Sequence, residues 1–162
     1  MAQILTGVIE PTATLVAGTL DRMRRSPNII TLLGEGVVTI EDVVEEALRF
    51  DAPFHFAPRT ASHRFTFHDV VVPENSRVVV VLASVNRDEL VWGHPDVFDP
   101  GRRHRRHLTF GVGHHSCLGA GVARHLAKSV LDAVLHLDAL PRLSPLQRVP
   151  AVGSTQFEAE RQ

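Results

Sequence analysis

The sequence predicts a mainly helical α+β fold, on three observations. Ile4, Leu5, Val8, Ile9, Val16, Leu20 and Met23 recur in a helical rhythm through residues 1–25. A second helical set starts at Leu118 and continues through Val122, Ala123, Leu126, Val130 and Leu131. Between them, two β-rich runs, Phe65 to Val72 and Arg77 to Leu82, flank the turn cluster Pro73-Glu74-Asn75-Ser76, which predicts a hairpin.

Length and composition narrow the class. The 162 residues suit one domain, and 44% hydrophobic with 22% charged residues is the balance of a chain that can bury a core. One cysteine, Cys117, excludes an internal disulfide framework and argues against a cysteine-rich zinc site. No H-E-x-x-H motif accompanies the ten histidines. No apolar run reaches the roughly 18 residues of a membrane span, and the first residues lack a basic n-region. The expectation is therefore a cytoplasmic chain without membrane association. The net charge of −1 says little about partners, but four arginines crowd the run Gly101 to His107, GRRHRRH. Such a run is most often a solvated face, and with no stacking aromatics beside it nucleic acid is not the expected partner.

Each element has its local reason. The first helix carries Pro11, which cannot donate to the carbonyl of Gly7 four residues back. Glu46 and Arg49, three residues apart on a helix, share a face and can pair. Phe54, Phe56, Ala57 and Pro58 then form an apolar stretch before the hairpin, and Phe98-Asp99-Pro100-Gly101-Arg102 precedes the basic run. In FGVGHHSCLGAGVAR, Phe110 to Arg124, Gly111 and Gly113 allow a tight turn and close approach to a flat ligand. Cys117 would stand at the N-terminus of the last helix, where free N–H groups and the dipole favour an anionic sulfur. The tail, Pro141 to Gln162, is rich in turn formers, including a turn near Gly153-Ser154-Thr155.

Phe110, Gly111, Gly113, His115, Cys117, Gly119, Val122, Ala123 and Arg124 fit the pattern F-G-x-G-x-H-x-C-x-G-x-x-[LV]-A-R. This resembles the haem-binding loop of the cytochrome P-450 family, with Val122 where leucine is usual. Glu46-Ala47-Leu48-Arg49 resembles the family's E-x-x-R element, and Phe98 to Arg102 its F-D-x-x-R element. Setting Ser26-Pro27 on the usual helix-ending His-Pro lays Gly7 to Thr12 on the oxygen-activation segment A-G-x-[DE]-T-T.

The resemblance implies haem as cofactor, with Cys117 as the thiolate ligand to iron and Phe110, Gly111 and Gly119 shaping the loop around it. It implies that Arg59 and His115 hold the haem propionates, and that Glu46, Arg49 and Arg102 form a buried structural network. Glu10 and Thr12 fall on the proton-delivery positions, while Pro11 stands where the family has its first threonine. The tail turn near Gly153 falls where the family's last loops approach substrate. The implied reaction is insertion of one oxygen atom of O₂ into a hydrophobic small molecule. Its electrons would come from NAD(P)H through a ferredoxin or flavodoxin docking at Arg103, Arg105 and Arg106. The resemblance spans the C-terminal part of the family fold, from inside the long central helix, so residues 1–162 read as a partial domain. Such a piece is expected to be inactive alone with O₂ and a reductase. The alternatives are a non-catalytic haem-binding or haem-free remnant serving as an interaction module, and a basic nucleic-acid binder.

Overall fold

The structure, a computed structural model, describes residues 2–103, 106–137, 146–151 and 154–159, with side chains from residue 7 to residue 137. Helix α1 (Ala2–Arg25) runs unbroken through Pro11, because the missing N–H costs one hydrogen bond and not the whole helix. A short helix α2 (Asn28–Gly34) follows, then α3 (Ile40–Phe50). A capping box sets the start of α3: the Asp42 N–H donates to Thr39 Oγ1 at 3.2 Å, and the Thr39 N–H donates to Asp42 Oδ2 at 2.8 Å. Its Ile40, Val43, Val44, Ala47 and Leu48 recur at helical spacing and are all buried.

The core forms where α1, α3 and α5 (Ala120–Leu135) pack together, with Leu15, Met23, Val43, Leu48, Ala127 and Leu131 at its centre. The ends of α1 and α3 are tied by Arg22, whose Nε donates to Asp51 Oδ2 at 2.8 Å while its guanidinium lies 4.5 Å from the Phe50 ring centre.

The strand pairing corrects the expected hairpin. Strands β2 (Phe65–Phe67) and β3 (Val70–Val72) form a hairpin within the run 65–72, closing at His68, whose φ of 49° is left-handed. Strand β4 (Arg77–Val81) pairs instead with β1 (Phe56–Thr60), antiparallel, with Arg59 opposite Val78. The segment 61–76 is held as an excursion by the Ala61 N–H to Ser76 O bond at 2.9 Å and the Asn75 N–H to Ala61 O bond at 2.8 Å. Pro58 sits in β1, which a two-stranded sheet tolerates because both strands are edges. After α4 (Leu82–Val85) a long irregular stretch leads to α5, and β5 (Leu146–Ala151) pairs with β6 (Ser154–Ala159). Gly153 of the expected tail turn lies outside the described residues.

Helix α5 also departs from expectation. It begins at Ala120 with Gly119 as its N-cap, so Cys117 precedes the helix. Ala127 and Leu131 face the core, whereas Leu118, Val122, Leu126 and Val130, which share the helical spacing, are exposed. The inward face packs against α1 and α3.

Candidate functional site

The segment Phe110–Cys117 closes on itself. The Cys117 N–H donates to Phe110 O at 2.8 Å, the Gly111 N–H to Leu108 O at 2.8 Å, and the Ser116 N–H to Gly113 O at 3.0 Å. Gly111 and Gly113 hold φ of +67° and +73°, the left-handed region in which a side chain is strained. Gly119 has no such demand, since a methyl group there would meet Cys117 Sγ at an ordinary 3.8 Å.

This loop forms one wall of a cavity of about 460 Å³. Gly111, His115, Cys117 and Gly119 line it from the loop, together with the half-buried Phe110. Helix α1 contributes Gly7, Val8, Pro11, Thr12 and Leu15, and the strand side supplies Phe54, Phe56, Ala57, Arg59 and Val80. The fold thus gathers Thr12, Arg59, Phe110, Gly111, His115, Cys117 and Gly119 from three separate parts of the chain. Glu10 is exposed on α1 and is not among the lining residues.

Behind the loop lies a buried ionic frame. Arg49 grips Glu46 with two hydrogen bonds, Nε to Oε2 at 2.8 Å and Nη2 to Oε1 at 2.7 Å. Its Nη1 donates to the carbonyls of Asn86 and Pro95, both at 2.9 Å, and the Asp99 N–H reaches Glu46 Oε1 at 2.9 Å. Arg102 joins through Nε at 3.5 Å from Glu46 Oε1, an ion pair without hydrogen-bond geometry, while its other nitrogens bond the carbonyls of Gly93, His94 and Val97. The three residues expected to meet do so.

Residues not singled out in the sequence complete the frame. The fully buried Asn86 accepts from the Leu108 N–H and donates to Thr109 Oγ1, each at 2.8 Å, and Thr109 Oγ1 donates to Leu48 O at 2.6 Å. The approach to Phe110 is thereby fixed to α3. Glu45 accepts from Arg124 and approaches His107 Nε2 at 3.2 Å. Burial acts first and raises the Glu45 carboxyl, but the hydrogen bonds from His107 and Arg124 and the charge of Arg124 outweigh it and hold the group down at about 2. Nothing in the adjacent acids Glu45-Glu46 signals that each serves a different network. His107 is buried, so the run Gly101–His107 is not one solvated face; Arg103 and Arg106 are exposed, and His104 and Arg105 lie outside the described residues.

The site suits a flat iron macrocycle bearing two carboxylates. The walls are largely apolar, one sulfur faces the cavity, and the cationic Arg59 and the imidazole of His115 stand on its lining. Among the described residues no group of three or more His, Cys, Asp or Glu comes together. A bare ion would lack a ligand set among these residues, whereas iron already held by a macrocycle would need only the Cys117 sulfur from the protein.

Comparison with known proteins gives a consistent result. The family model described as cytochrome P450 matches residues 37–137. The biotin biosynthesis cytochrome P450 of Bacillus subtilis is 33% identical over 149 residues, covering 92% of this chain and 35% of that protein. Cytochrome P450 119 of Sulfurisphaera tokodaii is 45% identical over 89 residues, 55% of this chain and 24% of that protein. Among solved structures, P450BioI in complex with hexadec-9Z-enoic acid ligated acyl carrier protein superposes with a TM-score of 0.85 at 31% identity, covering 92% of this chain and 39% of that one. A cytochrome P450 from Picrophilus torridus gives 0.83 at 30% identity, covering 93% and 45%. The chain spans between about a quarter and a half of the length of these relatives.

Proposed function

The chain belongs to the cytochrome P450 family, and on that premise we propose that it forms the thiolate side of a haem monooxygenase site. The observation that carries the reading is Cys117, set on a self-closed loop in the wall of an apolar cavity that Arg59 and His115 also line. When bound, haem supplies the redox chemistry by which one atom of O₂ enters an organic substrate and the other leaves as water, with two electrons and two protons consumed.

The chain's own residues have distinct tasks. Cys117 would supply its thiolate sulfur to the haem iron, and the bond from its N–H to Phe110 O fixes the backbone that carries it. Arg59 and His115, both on the cavity lining, would hold the two carboxylates and so orient the macrocycle. Phe54, Phe56 and Ala57 offer apolar surface to a hydrophobic small molecule and exclude water from the reacting face. The Thr12 hydroxyl, half-buried on the cavity side of α1, holds or passes a proton at its Oγ1. Glu10, exposed on the same helix, would feed protons from solvent. Electrons from NAD(P)H would arrive through a ferredoxin or flavodoxin docking on the exposed Arg103 and Arg106, in the cytoplasm.

Haem titration tests the reading. The ferrous carbonyl complex is expected to show the strongly red-shifted Soret band of thiolate ligation, lost in Cys117→Ala; a spectrum unchanged by that substitution would overturn it. Pro11 favours a second reading, a haem site that does not turn over O₂ efficiently, because it replaces a hydroxyl on the cavity lining with an apolar ring. In a version of the chain joined to the rest of the family fold, Pro11→Thr is then expected to raise the ratio of product formed to NAD(P)H consumed. An unchanged ratio would remove Pro11 from proton delivery.

A further inference from the structure

Glu45 and His107 have no role in the proposed chemistry, yet they stand against the loop that carries Cys117. A second hollow of about 480 Å³ shows the neighbourhood: Glu45, His107 and Arg124 line it together with Phe110, Ser116 and Cys117. We propose that Glu45 is a positioning residue for the Cys117 loop, acting through His107 and Arg124 on Phe110. The inference rests on the haem-thiolate reading and deepens it by assigning ligand placement to a residue far from the loop in sequence.

The hydrogen bonds fix the direction of the argument. The Thr109 N–H donates to His107 Nδ1 at 3.3 Å, so that nitrogen accepts, and the ring proton sits on Nε2, which donates to Glu45 Oε2 at 3.2 Å. Arg124 donates to both oxygens of the same carboxylate, through Nε to Oε1 and through Nη2 to Oε2 at 3.1 Å. One anion on α3 therefore holds a side chain at the entry to the loop and another on α5, through charge-assisted bonds. Both held groups touch the same ring. The His107 and Phe110 rings lie 6.0 Å apart between centres, and the Arg124 guanidinium lies 4.5 Å from the Phe110 centre. Phe110 O in turn accepts from the Cys117 N–H. A shift of Phe110 thus reaches the sulfur-bearing residue through a single hydrogen bond, the kind of outer support that orients a metal ligand.

The test uses the full chain loaded with haem, read as ferrous carbonyl spectra. Cys117→Ala checks the underlying reading. Glu45→Gln, which removes the charge and keeps the shape, is expected to bind haem with unchanged circular dichroism and to put an about threefold larger share of the complex in the unshifted band. Glu45→Asp is expected to recover much of the thiolate band, which a purely structural loss would not predict. His107→Gln, which keeps a donor but loses the ring, is expected to shift the share in the same direction, and it carries the test if Glu45→Gln does not fold. Thiolate shares equal to the parent in both variants overturn the proposal. If the parent shows no thiolate band, the haem reading fails and the positioning is read by hydrogen exchange on the chain without haem. Amides of residues 107–117 should then exchange about tenfold faster in Glu45→Gln while those of Leu15 to Met23 keep their rates. Equal rates in 107–117 overturn it.

Discussion

Glu45 and Glu46 are neighbours on one helix, and the fold uses them for opposite purposes. Glu46 is 5% exposed and its partner Arg49 1%, and their remaining hydrogen-bonding capacity is spent on backbone groups of the segment 86–99. Glu45 is 26% exposed at its side chain and bonds only side chains, one of which sits at the mouth of the Cys117 loop. Ionic frames that bind backbone fix a chain path; those that bind side chains fix an orientation. A helix turn of 100° per residue separates the two acids and sends them to different tasks.

The largest expected effect tests the first half of that contrast. Glu46→Ala removes the counter-charge from a buried Arg49 and the acceptor from the Asp99 N–H, a loss of about 3–5 kcal/mol against a typical total of roughly 5–15 kcal/mol. The expected outcome is insoluble protein or protein that does not hold haem. A soluble Glu46→Ala protein that retains haem and loses only turnover would erase the distinction between the two acids.

Glu45 should make part of the stability depend on pH. Folded Glu45 is held at about 2, below the value of about 4.3 expected in the unfolded chain. The sign follows: the folded form is the better place for the charge, so the stabilisation is complete above about 4.3 and is lost as pH falls from there towards about 2. Urea midpoints taken from pH 6 down to pH 3 should therefore converge between the parent and Glu45→Gln, with the parent the more stable at pH 6. Parallel curves across that range would show that the Glu45 charge contributes nothing to the fold.

What could be read in the sequence was what short spacing carries. The Phe110–Cys117 loop and the Glu46–Arg49 pair are local patterns: the loop closes on itself and the pair forms, although Cys117 stands ahead of the last helix and not at its start. Long-range choices were not legible. β4 pairs with β1 because the run 65–72 turns on itself at His68, and Pro58 kept the apolar stretch 54–58 from reading as a strand. His107, set among arginines, looked like part of a solvated run but is buried against Glu45, sixty-two residues away in sequence. Asn86 was not singled out in the sequence, yet it joins the Arg49 frame to the entry of the loop. On α5 four of the residues that marked the helix, Leu118, Val122, Leu126 and Val130, lie outward while Leu131 and Ala127 lie inward, so the apolar rhythm announced the helix without telling which face is buried.

The smallest effect on the fold should come from the part of the basic run that is exposed. Arg103 and Arg106 face solvent, whereas Arg102 is half-buried beside Glu46 and His107 is buried beside Glu45. Exposed charges alter stability by less than about 1 kcal/mol, but they act over a Debye length of about 10 Å at 0.1 M salt and can raise an association rate. Replacing Arg103 and Arg106 by Ala should leave the melting temperature nearly unchanged. The same change should slow reduction of the haem-loaded protein by an acidic ferredoxin at low ionic strength, and the difference from the parent should vanish as salt is added. Arg102→Ala should behave in the reverse way, lowering stability with little dependence of the reduction rate on salt. Equal reduction rates for the parent and the double variant at low salt would take the docking role from this surface and leave the run with its inward members only.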